Sequence, residues 1–208
     1  ARTWRVVFAL ASLPLAYAWI LFFLEHRYDG FELLRLQLPH AVLFATNLIS
    51  FFFLYPSTFN LKEVAAVDKP KLHLWGTGVA RVTRHPQAFG QFLWSAAHGA
   101  HIGTSVTWLT MALLVAHHAF STWHGDKRLA DKYGPDTFSV LKNSTSVVPF
   151  AAILDGRQQL PSDYWREWLR PPYAVVLVGT LAAYAAHPYM QAFAAQEASA
   201  FLPGGILG

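Results

Sequence analysis

Residues 86–125 read PQAFGQFLWSAAHGAHIGTSVTWLTMALLVAHHAFSTWHG and contain no Asp, Glu, Lys or Arg. A helix needs about 20 mostly apolar residues to cross a bilayer, so this stretch is long enough for two crossings. Glycines and small polar residues gather at 99–105, where they favour a turn. We therefore predict two helices, at 86–99 and 105–122, joined as a hairpin.

Three other stretches also lack all four charged residue types, namely 6–24, 36–61 and 171–196. Each has the length of about one crossing. The sequence therefore predicts an all-α fold, an integral membrane helical bundle with about five transmembrane helices. We place these helices at 4–24, 38–55, 86–99, 105–122 and 172–192.

The distribution of basic residues supports the hairpin. With two crossings in 86–125, the N-terminus, the 56–85 loop and the 123–171 segment share one side of the membrane. That side carries every Lys and Arg of the chain except Arg27 and Arg35. With a single crossing there, the bias disappears. The positive-inside rule therefore favours the hairpin and assigns the basic side to the cytoplasm or stroma.

The composition excludes several classes of protein. Hydrophobic residues make up 54% of the chain and charged residues 13%, against about 25% charged in soluble domains. A net charge of +4 is too small and too dispersed for a nucleic-acid surface, so we expect no nucleic-acid partner. The chain has no cysteine, which excludes disulfides, Cys-ligated zinc and iron–sulfur clusters.

The charged 123–171 segment is predicted to be helical and to lie on the inner side. Asp126 is a candidate N-cap for a helix that ends at the Gly134-Pro135 break. Residues 161–170, PSDYWREWLR, place aromatic side chains opposite charged ones. Two interpretations remain open for them: a helix lying on the membrane surface, or a cap packed on the inner loops.

A polar stripe runs along the first hairpin helix. In a helix that starts at Pro86, the side chains of Gln87, Gln91, Ser95 and His98 share one face. Polar groups facing lipid are costly, so this face should point into the bundle. His98 then lies roughly 18 Å from the start of the helix, deep in the membrane. It serves either as a ligand or as a neutral histidine that hydrogen-bonds to a neighbour.

Other histidines extend this pattern. His117 and His118 lie on the second hairpin helix, where one of them can face inward at a depth near that of His98. Two deep imidazoles on adjacent helices are typical of a metal or haem site. His187 is a third candidate, although a His-Pro pair within a span also marks a helix kink. No H-E-x-x-H motif supports zinc.

The basic motif RVTRHP, residues 81–86, lies at the inner membrane surface. It either anchors the chain by the positive-inside rule or holds an anionic group, such as a haem propionate or a phosphate. Arg81, Arg84 and the start of the following helix would bind that group.

Four stretches carry a specific likeness to known sequences: SFFFLYPSTFNLKEVAAVDKPKLHLW (50–75), RVTRHPQAFGQFLWSAAHGAHIG (81–103), LVAHHAFSTWHGDKRLADKYG (114–134) and TSVVPFAAILDGRQQLPSDYWREWLRPPYA (145–174). They resemble the NnrU-like membrane family, and within it the zeta-carotene isomerases of plants, algae and cyanobacteria. The likeness covers nearly the whole chain. It implies one NnrU-like membrane domain over 1–208, without the first helix that the family has upstream.

The resemblance implies an isomerase of carotenoid biosynthesis that carries haem b. Its reaction converts the central 15-cis double bond of 9,15,9'-tri-cis-zeta-carotene to trans, giving 9,9'-di-cis-zeta-carotene without net oxidation. His98 occupies the position of one axial haem ligand, and the other ligand is expected upstream of this chain. The candidate cofactor-binding residues are His98, Arg84, His85, His117 and His118.

The family also implies a zeta-carotene substrate, membrane lipid and an unidentified electron donor as partners. The expected location is the plastid envelope or thylakoid, or a cyanobacterial membrane.

Two other functions remain open. Arg84-His85-Pro86 with Gly90, followed by Tyr133-Gly134, resembles the isoprenylcysteine carboxyl methyltransferases, which bind S-adenosylmethionine. The paired glutamates of that class are missing, and His124-Gly125-Asp126 stands in their place. The family's name also suggests a non-enzymatic, haem-bearing membrane subunit linked to nitric-oxide metabolism.

Overall fold

The computed structural model describes residues 2–56, 71–74 and 76–201. These residues are helical apart from their connections and an isolated β-bridge between Glu32 and Thr104, which confirms the all-α prediction. In chain order the elements are α1 (Arg2–His26), α2 (His40–Leu54), α3 (Val79–Val82), α4 (Pro86–Ile102), α5 (Ser105–Tyr133), α6 (Pro135–Ser144), α7 (Ala151–Leu154), a 3-10 helix (Tyr164–Leu169) and α8 (Pro171–Phe201).

The five long helices α1, α2, α4, α5 and α8 lie over the four uncharged stretches of the sequence, with α4 and α5 sharing residues 86–125. Among the described residues, Val6–His26 is the one segment that is long and apolar enough to cross a membrane, judged by its length and composition alone. The helix His40–Leu54 is also apolar but shorter. Helix α1 packs on α8, and both helices leave most of their apolar side chains exposed.

The predicted hairpin is confirmed. Helix α4 begins with Pro86 in its first turn and ends at Gly103, whose φ of 85° is left-handed and therefore favours glycine. The hydroxyl of Thr104 then caps α5 by accepting a hydrogen bond from the Thr107 amide at 3.3 Å. The turn consists of residues 103 and 104, so α4 continues three residues beyond the predicted end at 99.

Helix α5 is longer than predicted. It runs without interruption to Tyr133, which is 11 residues past the predicted end at 122. The assignment of Asp126 as an N-cap is therefore wrong, since Asp126 lies within α5. Its carboxylate instead binds side chains at the start of α4.

Helix α2 runs antiparallel to α4 and packs tightly on it. The Ser50 hydroxyl donates to the Gly90 carbonyl at 2.7 Å. A Cβ atom at Gly90 would come within 2.7 Å of the Ser50 carbonyl oxygen and 2.8 Å of Leu54 Cγ. Glycine at position 90 thus allows the two backbones to approach, which sets how the other residues of α4 face α2.

A cap of short elements covers the end of the bundle where α4 begins, which we call the inner end. The 3-10 helix packs against residues 78–81, because Glu167 pairs with Arg81 and the Tyr164 hydroxyl donates to the Gly78 carbonyl at 2.9 Å. These contacts agree with the packed-cap interpretation of 161–170. The side chains of Trp165 and Leu169 on the same element remain exposed.

Candidate functional site around His98

The polar stripe predicted for α4 is present and faces the interior. Ser95 is fully buried, and Gln91 donates to its hydroxyl with an Nε2–Oγ distance of 3.0 Å. His98 follows one turn later and is half-buried. The prediction that these residues share one helix face is therefore confirmed, and their order leads from the inner end of α4 toward His98.

The His98 ring is held from two sides. Its Nδ1 atom lies 2.9 Å from the Trp94 carbonyl oxygen, and the indole of Trp94 stacks on it with a centroid distance of 4.0 Å. A hydrogen bond at Nδ1 places the proton there and leaves Nε2 as the basic nitrogen. Metal-bound histidines commonly use their second nitrogen in this way, so the arrangement suits a ligand at Nε2.

A polar region extends from His98 to two neighbouring helices. His187 of α8 lies close enough to His98 for an electrostatic interaction between the rings. Phe44 of α2 meets Tyr184 of α8 edge-on at 4.7 Å, which brings these two helices together. The sequence named His187 as a third candidate, and the structure relates it to His98 through this electrostatic interaction.

Asn47 of α2 adds an unsatisfied polar atom to this region. Because α2 and α4 are antiparallel and Ser50 meets Gly90, Asn47 lies near the level of Trp94, one turn from His98. Its Oδ1 atom is buried and has no hydrogen-bond partner among the described residues. Buried acceptors without partners are rare, so this atom is a candidate contact for a bound group.

His117 and His118 form a separate pair on α5. Their rings are perpendicular, 5.6 Å apart, with His117 exposed and His118 half-buried. No contact among the described residues links either ring to His98. Within that part of the chain, no cluster of three or more His, Asp or Glu side chains is arranged to hold a metal ion.

Arg84 and His85 meet Asp126 at the inner end of α4. Arg84 donates to Oδ2 through Nη2 at 2.9 Å and Nε at 3.0 Å, while His85 Nε2 lies 2.7 Å from Oδ1. Burial alone would raise the pKa of Asp126. The hydrogen bonds from His85 and Arg84 outweigh it, so the pKa lies below its ordinary value. The carboxylate is therefore charged and shared between two donors.

Arg81 is also paired, with Glu167 at 2.8 Å. Burial would raise the pKa of Glu167, but hydrogen bonds from Arg81 and the Gly78 amide lower it overall. Both arginines of RVTRHP thus have carboxylate partners within the chain. An anionic group bound there would have to displace or share Asp126 or Glu167.

Asp126 and Glu167 are the functional neighbours that sequence reasoning missed. Each lies more than 40 residues from its arginine, so no local spacing reveals the pair. One signal was available: a bundle that buries arginines near a membrane surface must also bring carboxylates to them.

These features together define an all-helical bundle in which a polar stripe on α4 leads to His98. The sequence model of the NnrU protein family matches residues 1–195. The chain belongs to this family.

Two relatives carry the name 15-cis-zeta-carotene isomerase, chloroplastic. The one from Zea mays is 56% identical over 194 residues, which is 92% of this chain and 53% of the relative. The one from Arabidopsis thaliana is 55% identical over 193 residues, 91% of this chain and 52% of the relative. The chain thus spans about half the length of these relatives. No solved structure matches it.

Proposed function

We propose that this chain is the membrane-embedded part of an isomerase that converts the central 15-cis double bond of tri-cis-zeta-carotene to trans, giving 9,9'-di-cis-zeta-carotene. The observation that carries the proposal is the 55–56% identity to two relatives of that name over more than nine tenths of the chain. Their names also support a plastid location. At this identity we expect a shared fold, and we assign the reaction to the region around His98.

The surface of the bundle suits a membrane. Apolar side chains of α1 such as Leu10, Leu13 and Leu15 are about 70% exposed, as are several on α8. Water would make such a surface prone to aggregation, whereas lipid tails accept it. We therefore retain five crossings by α1, α2, α4, α5 and α8. A C40 hydrocarbon substrate dissolves in the same layer and reaches the bundle from the side.

The chemistry asks little of acids and bases, because rotation about a double bond transfers no atoms. The task of the chain is to provide an apolar slot, hold the polyene in one orientation and keep water out. The indole of Trp94 supplies an aromatic wall stacked on His98, and the Phe44–Tyr184 pair joins α2 to α8. The half-buried Gln91 and the buried Ser95 satisfy each other by a hydrogen bond, which leaves the Asn47 Oδ1 atom as the unsatisfied buried acceptor of the described residues.

We further propose that haem b is held here with His98 as one axial ligand. The Nδ1–Trp94 bond, which leaves Nε2 as the basic nitrogen, supports this fit. Haem supplies an iron centre whose electron count and open coordination sites can be changed by redox chemistry. The second ligand stays a prediction, and His187 is a candidate for it within the chain. His117, His118, Arg84 and His85 stay predicted cofactor contacts.

The test uses the chain joined to the part of the Zea mays relative that it does not cover, because the chain spans about half of that relative's length. His98→Ala is compared with His101→Ala, an exposed histidine on the same helix. Purified protein in liposomes is reduced and mixed with tri-cis-zeta-carotene, and isomers are separated by chromatography. We expect His98→Ala to lose both the haem absorption and the product, and His101→Ala to keep both.

Full turnover by His98→Ala would contradict the assignment of this ligand. Haem bound by the parent chimera without isomerisation would favour the electron-transfer subunit instead. Binding of S-adenosylmethionine without haem would favour the methyltransferase.

A further inference from the structure

We propose that residues 147–154, which we name the inner loop, insert into the headgroup region of the same bilayer as an interfacial lipid anchor. The inference rests on the proposed membrane location of the bundle. It adds a surface that the isomerase proposal does not use.

The inner loop presents large apolar side chains outward. Leu154 is 85% exposed, Val148 65% and Phe150 50%, and all three lie within seven residues. Single exposed apolar residues are common, but a cluster on one short loop marks an interaction surface.

The exposure is not that of a loosely held segment. The buried Ser146 hydroxyl donates to the Val148 carbonyl at 2.8 Å and accepts from the Ala152 amide at 3.0 Å. The Phe150 amide donates to the Val82 carbonyl at 2.9 Å. These bonds fix the loop from within and from α3, so its apolar side chains are held outward.

Phe150 also has an unusual backbone. Its φ of 66° lies in the left-handed region, and among the described residues it is the one non-glycine residue there. Such a conformation costs free energy for a bulky side chain. The neighbouring hydrogen bonds maintain it, and it keeps the phenyl ring on the outer surface rather than against the buried Ala152.

The loop continues a lipid-facing surface of α5. Leu109, Leu113, Phe120 and Trp123 recur on one face of that helix, and each is about half exposed or more. Trp123 and Val147 line the same groove, which has a volume of about 590 Å³. Val147 thus places the start of the inner loop beside the apolar face of α5.

The depth of this junction matches a membrane interface. Trp123 lies 18 residues beyond Ser105, roughly 27 Å along a helix that crosses a core about 30 Å thick. The Arg84 amide donates to the Ser146 carbonyl at 2.9 Å, which ties the loop to the inner end of α4 as well.

Charges on the groove suit phospholipid headgroups. Lys127 and Lys142 both line it, and the Lys127 ammonium already pairs with Asp131 at 2.7 Å. The long Lys142 side chain can reach headgroup oxygens while its methylenes stay near apolar surface. The Asp126 carboxylate in the same groove is already neutralised by Arg84. A lipid surface therefore fits better than a purely apolar protein face.

The absence of cysteine makes a direct test possible, because a single introduced cysteine is labelled alone. An environment-sensitive fluorophore is attached at Leu154→Cys, with Val148→Cys as a second probe, in the chain reconstituted into lipid nanodiscs. Leu109→Cys, on the exposed apolar face of α5 near its outer end, serves as the lipid control, and Thr137→Cys on the exposed start of α6 as the aqueous one. Quenching is measured with iodide in water and with nitroxide lipids labelled at shallow and deep positions.

We expect the Leu154 and Val148 labels to show severalfold less iodide quenching than Thr137, and to be quenched best by the shallow nitroxide. Iodide quenching equal to that at Thr137, with Leu109 in lipid, overturns the anchor and leaves the membrane proposal intact. Protection from iodide without nitroxide quenching also overturns it and indicates a protein partner or a second copy. A Leu109 label in water contradicts the membrane location itself.

Discussion

The two ends of the helical bundle are held by different kinds of bond. At the inner end, side-chain charges join distant parts of the chain, as in Arg84–Asp126 and Arg81–Glu167. At the outer end, the connection between α1 and α2 is held through its own backbone groups, which bond both to backbone groups of the hairpin and to the side chains of Thr107 and Trp108. The Leu33 amide donates to the Gly103 carbonyl at 2.9 Å and the Leu36 amide to the Ala100 carbonyl at 2.7 Å.

The difference shows where each end is sensitive to substitution. Backbone bonds tolerate most side-chain changes but depend on glycine wherever the chain takes a left-handed conformation. Ion pairs tolerate backbone variation but fail when one partner is removed. We expect mutations to separate the two ends accordingly.

Asp126→Asn should have the largest effect on stability. It removes the charge opposite Arg84, whose side chain is 9% exposed, and opposite His85. We expect a loss of about 2–3 kcal/mol, which is less than for a fully buried pair because Asp126 is partly exposed. Thermal unfolding in detergent measures it.

Asp131→Asn is the matched control for Asp126→Asn. Asp131 pairs with Lys127 at 2.7 Å on the surface of the same helix, where both side chains are more than half exposed. This change should cost about 0.3 kcal/mol. Equal losses of stability in the two variants would show that the contacts of Asp126 contribute no more than an exposed ion pair.

Gly103→Ala should destabilise the outer end and lower the free energy of unfolding by about 2 kcal/mol. The φ of 85° is unfavourable for alanine, and the new Cβ would come 2.5 Å from Arg35 Cβ. The control is Gly125→Ala within α5, where nothing lies within 4 Å of the new Cβ. That variant should gain up to about 1 kcal/mol from helix propensity. A stable Gly103→Ala protein would contradict the backbone role of the turn.

Tyr173→Phe should cost about 1 kcal/mol, because the buried Val79 amide donates to the Tyr173 hydroxyl at 2.7 Å and would lose its acceptor. Tyr189→Phe on the exposed part of the same helix should change little. The thermal midpoints of the two variants decide the comparison. A thermal midpoint for Tyr173→Phe equal to that of the parent would show that this hydrogen bond does not stabilise the inner cap.

Acid should weaken the inner end selectively. The folded-state pKa values of Asp126 and Glu167 lie below the ordinary values of 3.8 and 4.5. The stability they contribute is therefore present above about pH 5 and is lost as pH falls through the lowered values. The thermal midpoint between neutral and acidic pH should fall more in the parent than in Asp126→Asn/Glu167→Gln. Parallel curves for both would contradict this assignment.

The local features of the fold were predictable from sequence, and the long-range ones were not. An uncharged stretch with glycines at its middle is enough to predict the α4–α5 hairpin, and Pro86 marks where α4 begins. The stripe from Gln91 to His98 follows from helical spacing alone. These signals lie within one or two helix turns, where geometry is fixed by the backbone.

The pairing of elements could not be read in the same way. Asp126 was interpreted by its neighbours in the chain as a helix start, yet its role is set by Arg84, 42 positions away. The proximity of His187 to His98 likewise depends on how α8 packs beside α2. Tertiary packing sets both of these contacts, and the residue pattern of a single segment does not reveal them.

The length of α5 has a mechanical consequence. Its 29 residues form one continuous helix roughly 43 Å long, which begins after the Thr104 cap. A tilt of about 5° about that end would displace Asp126 by about 3 Å, more than a hydrogen bond tolerates. The bond from Asp126 to Arg84 therefore opposes such a tilt. A small rotation of α5 at the outer turn would either break this bond at the start of α4 or be restrained by it.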